Sequence, residues 1–283
     1  MNEFRRMGPR GLDSWIATYG ASRSPQLDEI CAQKDAHTSR LYWFTELPAA
    51  IAEARRTERP ILSLRLLGRL DEELSCANSR FFRRFLYPDP QINQALRRDF
   101  VLHWQSVRAV PRVTIDFGDG RRIERTLTGN SVHLVLDSHG RPVDALPGLL
   151  ARGVFLEQLA QARMFARADR RELAGLHGRV APPPFPPFPF ARVSRAVAAS
   201  RIAATKHVLE GPLLRAVAID HDADTQHNLA LHRTIHEAFA AGTEWAGIDG
   251  FVEWIYADLF EMPLGDPALG LDAPEPVPPW AAS

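Results

Sequence analysis

The sequence predicts an α/β fold in which a sheet-containing unit precedes a mainly helical C-terminal unit. Over residues 41–177, short apolar runs with strand character alternate with segments whose apolar residues recur at helical spacing. Residues 178–191 then carry a run of prolines and phenylalanines, and proline disfavours both a helix interior and a central strand. Residues 192–283 return to helical spacing before an extended, proline-rich end. Residues 1–40 are polar and weakly periodic, so we treat them as an N-terminal extension.

The first half of the α/β unit predicts a helix, a buried strand and two further helices. Residues 47–56 have apolar side chains at helical spacing, and the run 61–67 is typical of a buried strand. Ser75 is expected to cap the next helix, which puts Cys76 in its first turn. A second short helix is predicted over residues 90–98.

The second half of the α/β unit predicts mostly strands. The triplet Gly118-Asp119-Gly120 is typical of a hairpin turn, and extended segments flank it on both sides. The predicted strands are 100–107, 113–117, 122–127, 132–136 and 142–146, and a closing helix is predicted over 154–176.

The composition excludes several classes of protein. The 283 residues contain 34 Lys and Arg against 34 Asp and Glu, so the net charge is zero and no basic excess favours nucleic acid or an anionic membrane. No run reaches the ~18 apolar residues of a membrane span, and the amino terminus lacks an apolar signal segment, so we expect a cytoplasmic protein. Two cysteines without a CxxC pair also argue against a disulfide scaffold.

Several residues of the α/β unit carry a resemblance to a known family. They are Trp43, the segment Arg59-Pro60-Ile61-Leu62, Cys76 after the following strand, Phe81-Phe82, the segments 93–101 and 131–137, Gly140 and Pro147-Gly148. In this element order, residues 41–165 resemble the divergent bacterial thioredoxin-like domains of the DUF255 type. The helical unit is similar to the tails of uncharacterised bacterial thioredoxin-fold proteins. The resemblance therefore implies a thioredoxin-like domain with a mainly helical C-terminal domain.

The resemblance also implies a site, from which this chain departs. Redox-active members of the family carry Cys-x-x-Cys where this chain has Cys76-Ala77-Asn78-Ser79, and Ser131 stands at the usual cis-proline position. A dithiol cycle needs a second sulfur, so Cys76 could support only single-thiol chemistry. The candidate catalytic residues are accordingly Cys76, Ser79 and Ser131, with His133 close by if the fold is right.

The reactivity of Cys76 stays open at this point. A helix amino terminus lowers the pKa of a thiol, whereas the acidic residues 71–73 would raise it. Cys31 could fold back to serve as a second sulfur, but an inert thiol in a peripheral helix is the favoured interpretation.

The helical unit offers a different chemistry. Counting in fours from Asp224 gives Asn228, His232 and His236, so two imidazoles share one helical stripe at the edge of the apolar face. Histidines at i and i+4 can bind one transition metal ion, either Fe, Cu, Zn or Mn. Glu210 is the best further ligand, with His207, Asn228 and Glu237 as alternatives. Imidazoles that are hydrogen-bonded at a helix interface are the simpler explanation.

Three functions therefore remain open from the sequence. The first is a single-cysteine oxidoreductase that uses Cys76 with a small thiol or another small-molecule substrate. The second is a metal-dependent enzyme in which His232 and His236 hold the ion with Glu210. The third is a non-catalytic module that binds a protein partner.

Overall fold

The protein has a mixed α/β architecture built on one four-stranded sheet. A computed structural model describes residues 2–126, 130–180, 222–267 and 269. In chain order the strands are β1 (Ile61–Leu67), β2 (Val101–Arg108), β3 (Arg112–Asp116), β4 (Arg122–Thr126), β5 (Ser131–Leu136) and β6 (Pro142–Pro147). The main sheet has the order β2-β1-β5-β6, while β3 and β4 pair with each other as a separate hairpin. Strand β1 is parallel to β2 and antiparallel to β5, and β5 is antiparallel to β6.

The central strand explains why the sheet forms at this place in the chain. All seven residues of β1 are buried, and strands β2 and β5 pair with it on its two sides. Five of the seven are Ile or Leu, a mostly apolar run typical of a strand buried on both faces, while Ser63 and Arg65 are polar residues buried with them. Strand β6, in contrast, is an edge strand of the same sheet. Its free side is therefore available for packing against other parts of the chain.

Helices surround this sheet. They include α1 (Asn2–Arg6), α2 (Pro9–Tyr19), α3 (Pro25–Cys31), α4 (Ala36–Ser39), α5 (Leu47–Thr57), α6 (Ala77–Phe81), α7 (Pro90–Asp99), α8 (Arg152–Arg167), α9 (Arg170–Val180), α10 (Asp222–Ala240) and α11 (Gly247–Trp254). A π-helical turn, Phe82–Leu86, continues α6, and a second, Ile255–Leu259, continues α11. None of the helices described is long and apolar enough to cross a membrane.

The N-terminal extension is more ordered than the sequence predicts. Residues 2–39 form the four helices α1 to α4 around a small core of their own, which consists of Leu12, Leu27, Ile30, Cys31 and Ala36. Helix α3 starts where sequence rules would place a start, since the Ser24 side chain accepts a hydrogen bond from the Leu27 amide. Three of these helices, α1, α3 and α4, have seven residues or fewer, so their apolar residues are too few to give a clear period.

The C-terminal helices share the core of the sheet. Ile235 on α10 and Phe251 on α11 are fully buried in the same cluster as the residues of β1 and β5. Ile255 and Tyr256, in the π-helical turn after α11, belong to it as well. The helical unit therefore packs directly on the α/β unit.

The predicted elements of the α/β unit are confirmed, with differences at their ends. The helix predicted over 154–176 is two helices, because the Asp169 carboxylate accepts the amides of Arg171 and Glu172 and starts a new helix. Cys76 is the N-cap of α6 and not part of its first turn, so Ser75 lies one residue outside the cap. Helix α9 runs through Val180, into the predicted linker. Residues 181–221 lie outside the described part of the chain.

Candidate functional site

A carboxylate is buried in the edge strand β6. Asp144 is fully buried between the apolar residues Val143 and Ala145. One of its oxygens, Oδ1, accepts a hydrogen bond from the Ala145 amide at 2.8 Å. The other, Oδ2, is buried and has no hydrogen-bond partner among the described residues. An unpaired carboxylate oxygen away from water is costly, so a cation at this point would be stabilising.

Two histidines of α10 lie against this carboxylate. His232 and His236 are each only 2% exposed, and their ring centroids are 4.1 Å apart. The Nε2 atom of His232 donates a hydrogen bond to Asp144 Oδ1 at 2.9 Å. Ligand atoms of the three residues all lie within 4.8 Å of one another. Asp144, His232 and His236 therefore form a group that could hold a metal ion, and we call it the Asp-His cluster.

The electrostatics of the Asp-His cluster favour an anionic carboxylate at Asp144 beside a neutral imidazole at His236. Burial alone would raise the pKa of Asp144, but the neighbouring His232 and, further away, His236 and His177 hold that pKa below its usual range. Burial lowers the pKa of His236 to about 3, and the charges of His232 and His177 add to this while Asp144 opposes it. The carboxylate and the His236 imidazole can therefore each offer a lone pair to a cation.

The start of α10 is fixed by the corner between β6 and α8. The side-chain amide of Asn228 donates a hydrogen bond to the Leu149 carbonyl at 2.6 Å. Thr225 Oγ1 accepts one from the backbone amide of Ala151 at 2.8 Å. Gly148 has φ +62°, and a Cβ there would come within 2.3 Å of Asn228 Oδ1. Only glycine allows this close approach. The contacts at the corner therefore fix the position of the first turns of α10 relative to β6, the strand that carries Asp144.

None of the further ligands predicted from the sequence is seen beside His232 and His236 in the described part of the chain. Glu210 and His207 lie outside the described residues, so the further ligand predicted from the sequence is untested. The Asn228 side chain hydrogen-bonds to the Leu149 carbonyl at the β6–α8 corner, and Glu237 is exposed. Sequence reasoning missed Asp144, although an aspartate inside an otherwise apolar strand was a usable signal.

The second candidate region is the start of α6, where Cys76 lies. Its side chain is fully buried, and Sγ accepts a hydrogen bond from the Ser79 amide at 3.4 Å. Burial raises the pKa of the Cys76 thiol, while the Ser79 hydrogen bonds and the charge of Arg80 oppose that rise. The balance that the sequence left open is therefore decided by burial. The acidic residues 71–73 have arginine partners in the ion pairs Arg69–Asp71, Arg69–Glu72, Arg83–Glu73 and Arg84–Glu73.

Tyr256 of the C-terminal unit lies near the Cys76 region. Its hydroxyl lies 3.3 Å from the carbonyl oxygens of both Arg65 and Asn130, between the end of β1 and the start of β5. Burial raises the pKa of Tyr256, and the nearby Cys76 raises it further. Further along, Arg108 on β2 donates to the carbonyls of Leu264 and Asp266, at 3.0 and 2.6 Å. The segment that follows α11 is thus attached on both sides of the site.

Of the other predicted catalytic residues, Ser79 is hydrogen-bonded to Cys76, whereas Ser131 and His133 lie on β5. Ser79 Oγ lies 2.7 Å from Ser75 Oγ and 2.8 Å from the Cys76 carbonyl oxygen. Ser131 pairs with Leu66 in the sheet, and its buried hydroxyl has no partner among the described residues. His133 hydrogen-bonds to Tyr87 at 2.8 Å.

Cys31 does not complete a pair with Cys76. Both cysteines are free thiols, and Cys31 lies in the separate core of the N-terminal helices. Burial raises its pKa to about 12, with Asp28 adding to the rise and Arg5 and Arg97 opposing it. The interpretation as an inert thiol therefore fits its surroundings.

Comparisons with known proteins add no assignment. No protein-family model matches the sequence, and no curated protein matches it.

Proposed function

We propose that this protein binds one divalent transition metal ion through Asp144, His232 and His236, with zinc as the ion that fits best. The observation that carries the proposal is the convergence of these three buried side chains. Among the described residues, one carboxylate oxygen of Asp144, Oδ2, has no hydrogen-bond partner. Two imidazoles and one carboxylate are a frequent ligand set of zinc, and also suit iron, manganese or copper.

The size of the Asp-His cluster is close to what zinc requires. Bonds of ~2.0–2.2 Å to nitrogen and oxygen put the ligand atoms of a tetrahedral site about 3.3 Å apart. The ligand atoms here lie within 4.8 Å of one another, so side-chain rotations are enough to close the set around an ion. Glu210, if it approaches, would be a fourth ligand.

The burial of the ligands supports a structural role for the ion over a catalytic one. All three are buried, and the described residues around them leave no open approach for a substrate. An ion here would join the edge strand β6 to α10 and so hold the helical unit on the sheet. Metal binding then adds directly to the stability of the folded state.

The scaffold that we propose is a thioredoxin-like domain with a helical extension. The order β2-β1-β5-β6, with β1 parallel to β2 and antiparallel to β5, supports it. So does the place of Cys76, which follows β1 and caps the helix leading toward β2. The hairpin of β3 and β4 is an insertion in that scheme.

Metal analysis of the purified protein tests the proposed function. Unsubstituted protein, stripped and reloaded with zinc, is expected to hold one ion per chain and to unfold at a higher temperature than the stripped form. His232→Ala and Asp144→Asn should lose both the ion and the zinc-dependent rise in Tm, because each removes a ligand. His139→Ala is the matched control, since His139 is an exposed histidine.

The proposed function fails on one clear result. If the reloaded, unsubstituted protein retains no more zinc, iron, manganese or copper than His232→Ala does, the Asp-His cluster is a hydrogen-bonded group and not a metal site. An unchanged Tm on loading would agree with that outcome.

Single-thiol chemistry at Cys76 is the second candidate function. Its support is the place of Sγ at the cap of α6, where an amide donates to it. Because the thiol is fully buried and Tyr256 lies near it, this function requires the segment after α11 to move away. A protein partner that displaces this segment would be the binding-module alternative.

Alkylation measures whether Cys76 can become accessible. In the unsubstituted protein both cysteines should react with iodoacetamide much more slowly than in the unfolded chain, because both are buried. Tyr256→Ala is expected to raise the rate at Cys76 about tenfold or more without changing the rate at Cys31. Cys31 is the internal control, since general destabilisation would accelerate both. If Tyr256→Ala raises the alkylation rates of Cys76 and Cys31 by the same factor, or raises neither, the candidate function is ruled out.

A further inference from the structure

A third buried histidine lies beside the Asp-His cluster. His177, in the last turns of α9, is fully buried between two parallel aromatic rings. Its ring stacks on Phe165 at a centroid distance of 4.0 Å and on Phe239 at 4.5 Å, with interplanar angles of 14° and 9°. The stacking fixes the plane of the imidazole, so only a few partners can reach its two nitrogens.

Both nitrogens of His177 have a partner. Nε2 lies 2.9 Å from the carbonyl oxygen of Val143, the residue before Asp144. Nδ1 lies 2.6 Å from Nδ1 of His236. A carbonyl oxygen only accepts, so the proton of His177 is on Nε2.

The position of that proton determines the tautomer of His236. A neutral imidazole has one N–H, so Nδ1 of His177 must accept, and Nδ1 of His236 must be its donor. The lone pair of His236 is then on Nε2. His177 is buried between the two aromatic rings and hydrogen-bonds to no carboxylate, which are surroundings that suit an uncharged imidazole.

We propose that His177 is a positioning residue that fixes His236 in the tautomer whose Nε2 binds the metal ion. This inference rests on the proposed function. The two hydrogen bonds of His177 join the carbonyl of Val143, next to Asp144, to His236. His177 thus connects two of the three ligands. An outer hydrogen bond of this kind raises the basicity of the ligating nitrogen and prevents the ring from rotating.

Two substitutions separate the hydrogen bonds from the packing. His177→Phe keeps an aromatic ring between Phe165 and Phe239 but removes both hydrogen bonds. His177→Gln keeps one acceptor and one donor at a similar spacing. Zinc affinity, measured by competition with a chelator in the full chain, is expected to fall about 10–100-fold in His177→Phe and to recover most of that loss in His177→Gln.

The tautomer itself provides a measurement that packing would not change. Nitrogen NMR of the zinc-free protein should show the proton of His236 on Nδ1 in the unsubstituted protein and in His177→Gln. In His177→Phe that preference should be lost. His139→Ala should leave both the affinity and the spectrum unchanged.

The possible outcomes distinguish this inference from the proposed function. If the unsubstituted protein binds zinc and His177→Phe binds it equally well, the positioning role is overturned and the metal site stands. If His236 has its proton on Nε2 before zinc is added, the role is also overturned. If the unsubstituted protein binds no zinc, both proposals fail.

Discussion

Between pH 6.5 and 3, the free energy of unfolding is expected to fall by about 2.7 kcal/mol per pH unit through His103 and His133 together. Burial lowers the pKa of each of these histidines from 6.5 to about 3, and the charge of Arg65 lowers that of His103 further. Over this interval the unfolded chain binds a proton at each position and the folded chain does not. The stability is fully present above pH 6.5 and is lost as the pH falls toward 3.

The surroundings of His133 explain the size of this effect. The ring packs against Phe82 at 4.8 Å and Phe155 at 5.3 Å, and its Nδ1 atom has no partner among the described residues. A charge there would lie in an apolar interior without a counter-ion. Protonation therefore competes directly with folding.

His133→Gln tests the prediction. The amide can keep the hydrogen bond to Tyr87 but does not titrate, so the stability should become less dependent on pH, by about 1.4 kcal/mol per unit. Urea unfolding at a series of pH values gives this slope. His139→Gln, at an exposed histidine, should have the slope of the unsubstituted protein. If the two variants give the same slope, His133 is not a buried neutral histidine.

Replacing Arg83 with methionine is expected to destabilise the protein by about 3–5 kcal/mol. The side chain is fully buried and lies 3.4 Å from the Asp35 carboxylate. It also donates to the carbonyls of Glu72 and Glu73, at 2.5 and 3.2 Å. Methionine fills much of the volume but removes the donor from these partly buried carbonyls and leaves the buried Asp35 carboxylate with Arg84 as its near partner. Because this loop leads into Cys76, the start of α6 depends on the same contacts.

The measurement is the free energy of unfolding in urea at constant pH. Arg56→Met is the matched control, because Arg56 is an exposed partner of Glu53 and such pairs contribute about 0–1 kcal/mol. Arg83→Lys should fall between the two, since it keeps the charge but has fewer directed donors. A loss in Arg83→Met no greater than in Arg56→Met would contradict the prediction.

The parts of the fold that follow from local pattern could be predicted. The buried run of β1, the glycine-rich turn between β3 and β4 and the order of the elements all depend on residues close together in sequence. The four N-terminal helices could not be predicted as an ordered unit. Three of the four have seven residues or fewer, too few for a clear period, and the small core that they share holds them together.

One part of the candidate site could also be predicted from local pattern, and the other part could not. The spacing of His232 and His236 put both imidazoles on one face of a helix before any fold was known. Their partners come from elsewhere: Asp144 from an edge strand and His177 from another helix. Neither contact has a local signal, because the residues are brought together only when α10 packs on the sheet.

The sequence by itself determined the order of helices and strands within the α/β unit, the single cysteine at the start of α6 and the pair of histidines one turn apart. Only the tertiary structure decided that Cys76 is fully buried and that a carboxylate faces the two histidines. The reason is physical: periodicity records which face of an element is apolar, whereas burial and the pKa values that follow from it depend on which faces meet.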